Sequence, residues 1–194
     1  MMVLVSGLIH TYLQQLHDIV QSCSVDGQNC TELDEALQCF IVHAVQAHEQ
    51  GKKVIFIGNG GSAGICSHAA IDYSKNGGIR SLACNDGATL TCLSNDYGYE
   101  HVFEKQIEWH AQEGDIVVAI SSSGQSQNII RASQKASEKK CFVVTFSGFE
   151  PSNPLRSMGD LNVYLHSREY GFVELGHQII LHAALDLKET LIRS

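Results

Sequence analysis

Residues 52–75, KKVIFIGNGGSAGICSHAAIDYSK, run from an apolar stretch through glycines and a serine into a helical pattern. KVIFIG at 53–58 is mostly β-branched or apolar, which reads as a strand. Gly58, Gly60 and Gly61 allow a tight turn, and a helix-like stretch covers 62–75. Strand, glycine turn and helix in that order open a parallel α/β unit, because parallel strands need a crossover between them. The turn also suits an anion. Glycine lets the backbone come close, and a helix N-terminus offers free N–H groups and partial positive charge.

The same alternation continues along the chain. Short apolar runs at 79–84, 115–120, 141–148 and 161–166 read as strands, with helix-like stretches at 87–95, 99–112 and 126–138 between them. Continuous runs such as IVVAI fit strands buried on both faces of a parallel sheet. Upstream, residues 3–22 and 31–50 carry apolar residues at helical spacing, divided by the turn-like SVDGQN at 24–29, with Thr31 as N-cap. These are two antiparallel helices. Residues 171–192 read as one long C-terminal helix. The expected architecture is a single α/β domain over 1–194, a three-layer parallel-sheet core at 51–194 behind a helical arm at 1–50.

Composition sets limits on function. The 194 residues carry 44% hydrophobic and 18% charged side chains and two prolines, as an ordered globular chain does. A formal charge of −8 without a Lys/Arg cluster speaks against nucleic-acid binding. The seven cysteines lack C-x-x-C spacing and come in an odd number, which fits reduced thiols rather than a disulfide framework or a thiolate zinc site. MMVLVSGLIH has no basic n-region, and no run reaches spanning length, so a cytoplasmic protein without a membrane segment is expected.

A second loop resembles the first in chemistry. SSSGQSQN, Ser121 to Asn128, follows the strand at 115–120 and leads into a helix. Gly58, Gly60 and Ala63 also satisfy G-x-G-x-x-[G/A], with Asp86 as a ribose ligand, which is a dinucleotide reading. A dinucleotide fold has no need of a run of hydroxyls in the second loop; a sugar phosphate does. With GNGGSA, SNDYGYEHVFEKQI, AISSSGQSQNII and VELGHQIILH, the chain resembles the sugar isomerase (SIS) domain family and, within it, the sedoheptulose 7-phosphate isomerases. That resemblance implies a flavodoxin-like fold and phosphate binding by Ser62, Ser121, Ser123 and Ser126, with Ser122 beside them. It also implies sugar contacts from Asn59, Gly60, Asp86, Thr89, Asn95 and Asp96, although Asp86, Asn95 and Asp96 equally suit capping and turn formation.

Isomerisation of a phosphosugar needs a base for the proton α to the carbonyl and a group that stabilises the enediolate. His68 and Asp72 share a helix face at i, i+4, and Glu174 and His182 share another, with His177 between them. The resemblance places the catalytic and metal positions on these four: Asp72, His182 and Glu174 for proton transfer, and His68, Asp72, Glu174 and His182 as ligands of Zn²⁺. This chain departs from the family in having Asp72 for glutamate, Glu174 for glutamine and Asn76 where an arginine is common. The implied activity converts sedoheptulose 7-phosphate to a manno-heptose 7-phosphate through an enediol, for bacterial surface polysaccharide such as lipopolysaccharide, in a homotetramer with sites between subunits. The alternatives are a non-catalytic phosphosugar-sensing or regulatory SIS module and an isomerase of another phosphosugar.

Overall fold

A computed structural model describes residues 7–27 and 30–193. The readings of residues 3–6, at the head of the first helix, and of Gln28 and Asn29 in the turn lie outside the described residues. Among the described residues one sheet contains β1 (Ser24–Gly27), β2 (Val54–Gly58), β3 (Ser81–Ala83), β4 (Ile116–Ser121), β5 (Phe142–Ser147) and β6 (Leu161–Tyr164), in the order β1-β6-β5-β4-β2-β3. The five strands β2 to β6 are parallel, and in chain order they run 2-1-3-4-5, the flavodoxin-like arrangement.

The helices are α1 (Leu8–Gln21), α2 (Leu33–Glu49), α3 (Gly61–Lys75), α4 (Gly87–Tyr97), α5 (Val102–His110), α6 (Gln127–Glu138), α7 (Tyr170–Asp186) and α8 (Lys188–Arg193). Strand alternation sorts the core into two layers. Val54 and Phe56 pack with Phe40 of α2, Tyr73 of α3 and Leu181 of α7. Ile55 and Ile57 pack on the opposite face with Phe103 of α5 and Ile129 of α6. The helices after β2 and after β4 therefore leave on opposite faces, and the crevice between these neighbouring strands is where such a sheet holds its ligand.

Three expectations about elements need correction. SVDG is an edge strand antiparallel to β6, with Val25 opposite Val163, rather than a turn. Its polar sequence carries little β signal, and the pairing is decided by the open edge of β6. The N-cap of α2 is Glu32, not Thr31. Glu35 accepts from the Glu32 backbone N–H at 3.2 Å, and the two glutamates form a reciprocal capping box. The C-terminal helix breaks at Leu187 with no glycine or proline to announce it. The cause is tertiary: α8 packs on α2, where Gln38 donates to the Leu191 carbonyl at 3.0 Å, and Lys188 donates to the Gly77 carbonyl at 3.0 Å.

Candidate active site

The glycine loop after β2 and the serine loop after β4 face each other across a cleft of about 230 Å³. Asn59, Gly60, Ser62, Ser121, Ser122, Ser123 and Ser126 all line it, so the sequence-predicted anion site comes together in one place. Ser62, Ser121 and Ser122 are only 4%, 5% and 4% exposed. Ser121 donates to Ser126 Oγ at 3.2 Å, and the Gln125 N–H donates to Ser123 Oγ at 3.3 Å. Ser122 Oγ is buried with no hydrogen-bond partner among the described residues. A buried hydroxyl left unpaired costs about 1–3 kcal/mol, and an anion in the cleft offers the missing acceptor.

The loops are braced against each other. Asn59 and Asn128 exchange carboxamide hydrogen bonds, both at 2.9 Å, and the Tyr99 hydroxyl donates to Asn59 Oδ1 at 2.9 Å. Gly60 has a positive φ of 53°. Gly61 lies directly beneath the Glu174 carboxylate, which reaches over from α7, and a Cβ there would displace that carboxylate. Glu174 thus lies in the anion cleft, at the N-terminus of α3.

The second group of predicted residues meets farther along α3. Asp72 Oδ2 lies 3.2 Å from His68 Nε2 and 3.6 Å from His182 Nδ1, and Asn76 donates to Asp72 Oδ1 at 3.2 Å. One ligand atom each from His68, Asp72 and His182 fall within 4.8 Å of one another. Two imidazole nitrogens and a carboxylate oxygen at that spacing suit a divalent cation of the Zn²⁺ type and leave a coordination position open. Glu174 stays apart from this trio. It precedes His182 by eight residues, about 12 Å along a helix axis, and sits at the loop end of α7.

The two groups are joined by a furrow between α3 and α7. A middle cleft of about 260 Å³, lined by Gly61, Ile65, Glu174 and Gln178, shares Gly61 and Glu174 with the anion cleft. It shares Ile65 and Gln178 with a small cavity beside His68, Asp72 and His182. The anion cradle, the middle cleft and the acid–base groups thus follow one another along α3 and α7.

Other predicted residues lie elsewhere. Asp86 caps α4, accepting from the Thr89 N–H at 2.8 Å and the Thr89 hydroxyl at 2.7 Å; the backbone bond first, then the hydroxyl, holds its carboxyl below the usual range. Asn95 donates to Asp96 at 2.8 Å on the same helix, and none of these four residues lines the furrow. His177 is fully buried, Nε2 lying 3.2 Å from the Ser147 carbonyl oxygen, and burial pushes its pKa down to about 4.

Residues 11–148 match the SIS domain model. The chain belongs to the SIS domain family. Within the family it is 32% identical over 170 residues to a phosphoheptose isomerase of Helicobacter hepaticus, covering 84% of this chain and 86% of the relative. It is 34% identical to a phosphoheptose isomerase of Hamiltonella defensa, over 94% of this chain and 89% of that one. Among solved structures, phosphoheptose isomerase from Neisseria gonorrhoeae superposes with a TM-score of 0.78 at 27% identity, over 93% of this chain and 97% of that chain. Gln178 is absent from the residues the sequence singles out, and Asn76 is singled out only as standing where an arginine is common, not as a partner of Asp72. Each stands four positions from a predicted group, Asp72 and His182, and the i, i+4 rule was the available signal.

Proposed function

We propose that this chain works as one SIS domain and interconverts sedoheptulose 7-phosphate and D-glycero-D-manno-heptose 7-phosphate. The observation that carries the proposal is the furrow, which links an anion cradle with an unpaired buried hydroxyl to the His68–Asp72–His182 cluster. The names of the relatives support the substrate. Ser62, Ser121, Ser122, Ser123 and Ser126 take the phosphate, together with the N-termini of α3 and α6. Glu174 and Gly60 lie where the chain of the sugar begins. Asp72 removes a proton from C1 of the ketose while O2 gains one, giving the enediol; loss of the O1–H proton and delivery of a proton to C2 then give the aldose. His182, beside Asp72, passes protons to and from the oxygens. His68, Asp72 and His182 would hold Zn²⁺, which when bound supplies Lewis-acid polarisation of the carbonyl.

In this reading the enzyme is cytoplasmic, and its product feeds heptose into bacterial surface polysaccharide such as lipopolysaccharide. No helix among the described residues is long and apolar enough to cross a membrane. A homotetramer is part of the proposal: Leu8, Ile9 and Leu13 on α1 are 66%, 69% and 55% exposed, and an apolar face of that kind suits a subunit contact. Sedimentation equilibrium would show a monomer if this part is wrong. The decisive test follows deuterium incorporation by NMR when the protein is incubated with sedoheptulose 7-phosphate in D₂O. Incorporation at the α-carbon is expected. Binding without incorporation, with or without Zn²⁺, would leave the chain as a phosphosugar sensor.

A further inference from the structure

Removal of the α-proton puts negative charge on the former carbonyl oxygen, and that oxygen needs a hydrogen-bond donor that is not itself the base. The small cavity at the His–Asp cluster contains few candidates. Its polar lining consists of His68, Asp72, His182, Tyr73 and Gln178. Tyr73 is committed elsewhere, donating to the Leu181 carbonyl at 2.9 Å, and its phenol is buried. The imidazoles of His68 and His182 each face Asp72. Asp72 is an acceptor and repels an oxyanion.

Gln178 differs from all of these. It is half-buried on α7, one turn before His182, and it lines both this cavity and the middle of the furrow. Its carboxamide makes no hydrogen bond to another described residue. A neutral amide has two N–H donors and one acceptor, and here all remain available to a guest. The backbone behind it is fixed, since Ile180 and Leu181 on the same helix are each 2% exposed and pack into the core. A donor on a rigid helix, bordering both the furrow and the acid–base groups, meets developing charge with little reorganisation of its backbone.

We propose that Gln178 is a catalytic residue, whose side-chain N–H holds the enediolate oxygen at the reacting end of the sugar. The assignment rests on the isomerase reading and adds to it the group that receives the charge. It separates two roles on one face of α7: Glu174 borders the phosphate end, and Gln178 serves the carbonyl end.

The test compares wild type, Q178A and Q178E. Q178A is expected to lower kcat and the deuterium exchange rate by about 100-fold, with KM and the affinity for inorganic phosphate within twofold. Q178E keeps the size and loses the donor, so it should lose at least as much. A phosphosugar hydroxamate, which mimics the enediolate, should bind Q178A at least about tenfold more weakly in calorimetry. Thermal unfolding followed by circular dichroism checks that both variants are folded. Exchange in Q178A or Q178E within threefold of wild type, or a loss confined to KM, overturns the assignment while the isomerase reading stands. Absence of exchange in wild type itself removes both.

Discussion

The anion cradle and the His–Asp cluster sit at two ends of one furrow and are built in opposite ways. The cradle is made by loops at the rim of the sheet: Ser62, Ser121 and Ser122 are nearly fully buried, the loops are braced through Asn59 and Asn128, and the glycine turn follows directly from β2. The cluster is made by side chains on two helix faces, and His68 and His182 expose 51% and 37% of theirs. The binding end is therefore preorganised, whereas the chemical end is open to solvent.

The sharpest way to break this contrast is to remove the base. Asp72→Asn keeps size and hydrogen-bonding capacity but cannot accept the α-proton, so deuterium exchange should fall at least about 1,000-fold, some 4 kcal/mol in the barrier. Phosphate affinity should not move. If exchange survives in Asp72→Asn and is lost in Glu174→Gln, the two carboxylates have traded roles.

His177 tests whether α7 is one rigid beam between the two ends. Its folded pKa of about 4 lies below the unfolded value of 6.5, so the neutral ring is favoured in the folded state. The associated stability is complete above pH 6.5 and is lost as the unfolded chain takes up a proton between 6.5 and 4, about 3 kcal/mol in all. His177→Gln can still donate to the Ser147 carbonyl and has no titration. Chemical denaturation at pH 7 and pH 4.5 should show a smaller acid loss in the variant; equal losses would mean that His177 is not buried neutral.

The difference between the two ends also explains what could be read from sequence. Glycines after an apolar strand and serines before a helix are local signals, and the structure brings Ser62 and Ser121 into one cleft as anticipated. His68 with Asp72 was legible as an i, i+4 pair. The position of Glu174 was not, because only packing of α7 on α3 determines that its carboxylate meets Gly61 rather than the histidines. Asn76 and Gln178 are ordinary helix residues until the fold places them beside Asp72 and His182. The edge strand β1 and the break at Leu187 were hidden for the same reason: β6 and α2 impose them from far along the chain.

A smaller effect is expected at the preorganised end. Ser123→Ala removes one hydroxyl from a cradle that holds substrate and transition state alike, so KM should rise about tenfold with kcat unchanged, some 1.4 kcal/mol. A fall in kcat with constant KM would mean that the loops take part in the chemistry and that the division into a binding end and a reacting end is false.

The smallest change bears on Glu174, a carboxylate inside the cradle. It approaches Gly61 at the positive end of α3, where the phosphate is expected, and two anions in one cleft repel each other. Glu174→Gln removes that charge at constant size and should tighten inorganic phosphate binding by about threefold, within the range for partly exposed charges. Zn²⁺ affinity should stay constant, since Glu174 lies outside the His68–Asp72–His182 cluster. Calorimetric titration of wild type and variant with each ion separates the cases. Weaker Zn²⁺ binding in Glu174→Gln would mean that the carboxylate swings along the furrow to the cluster when a cation is present, and the two ends would then share a residue.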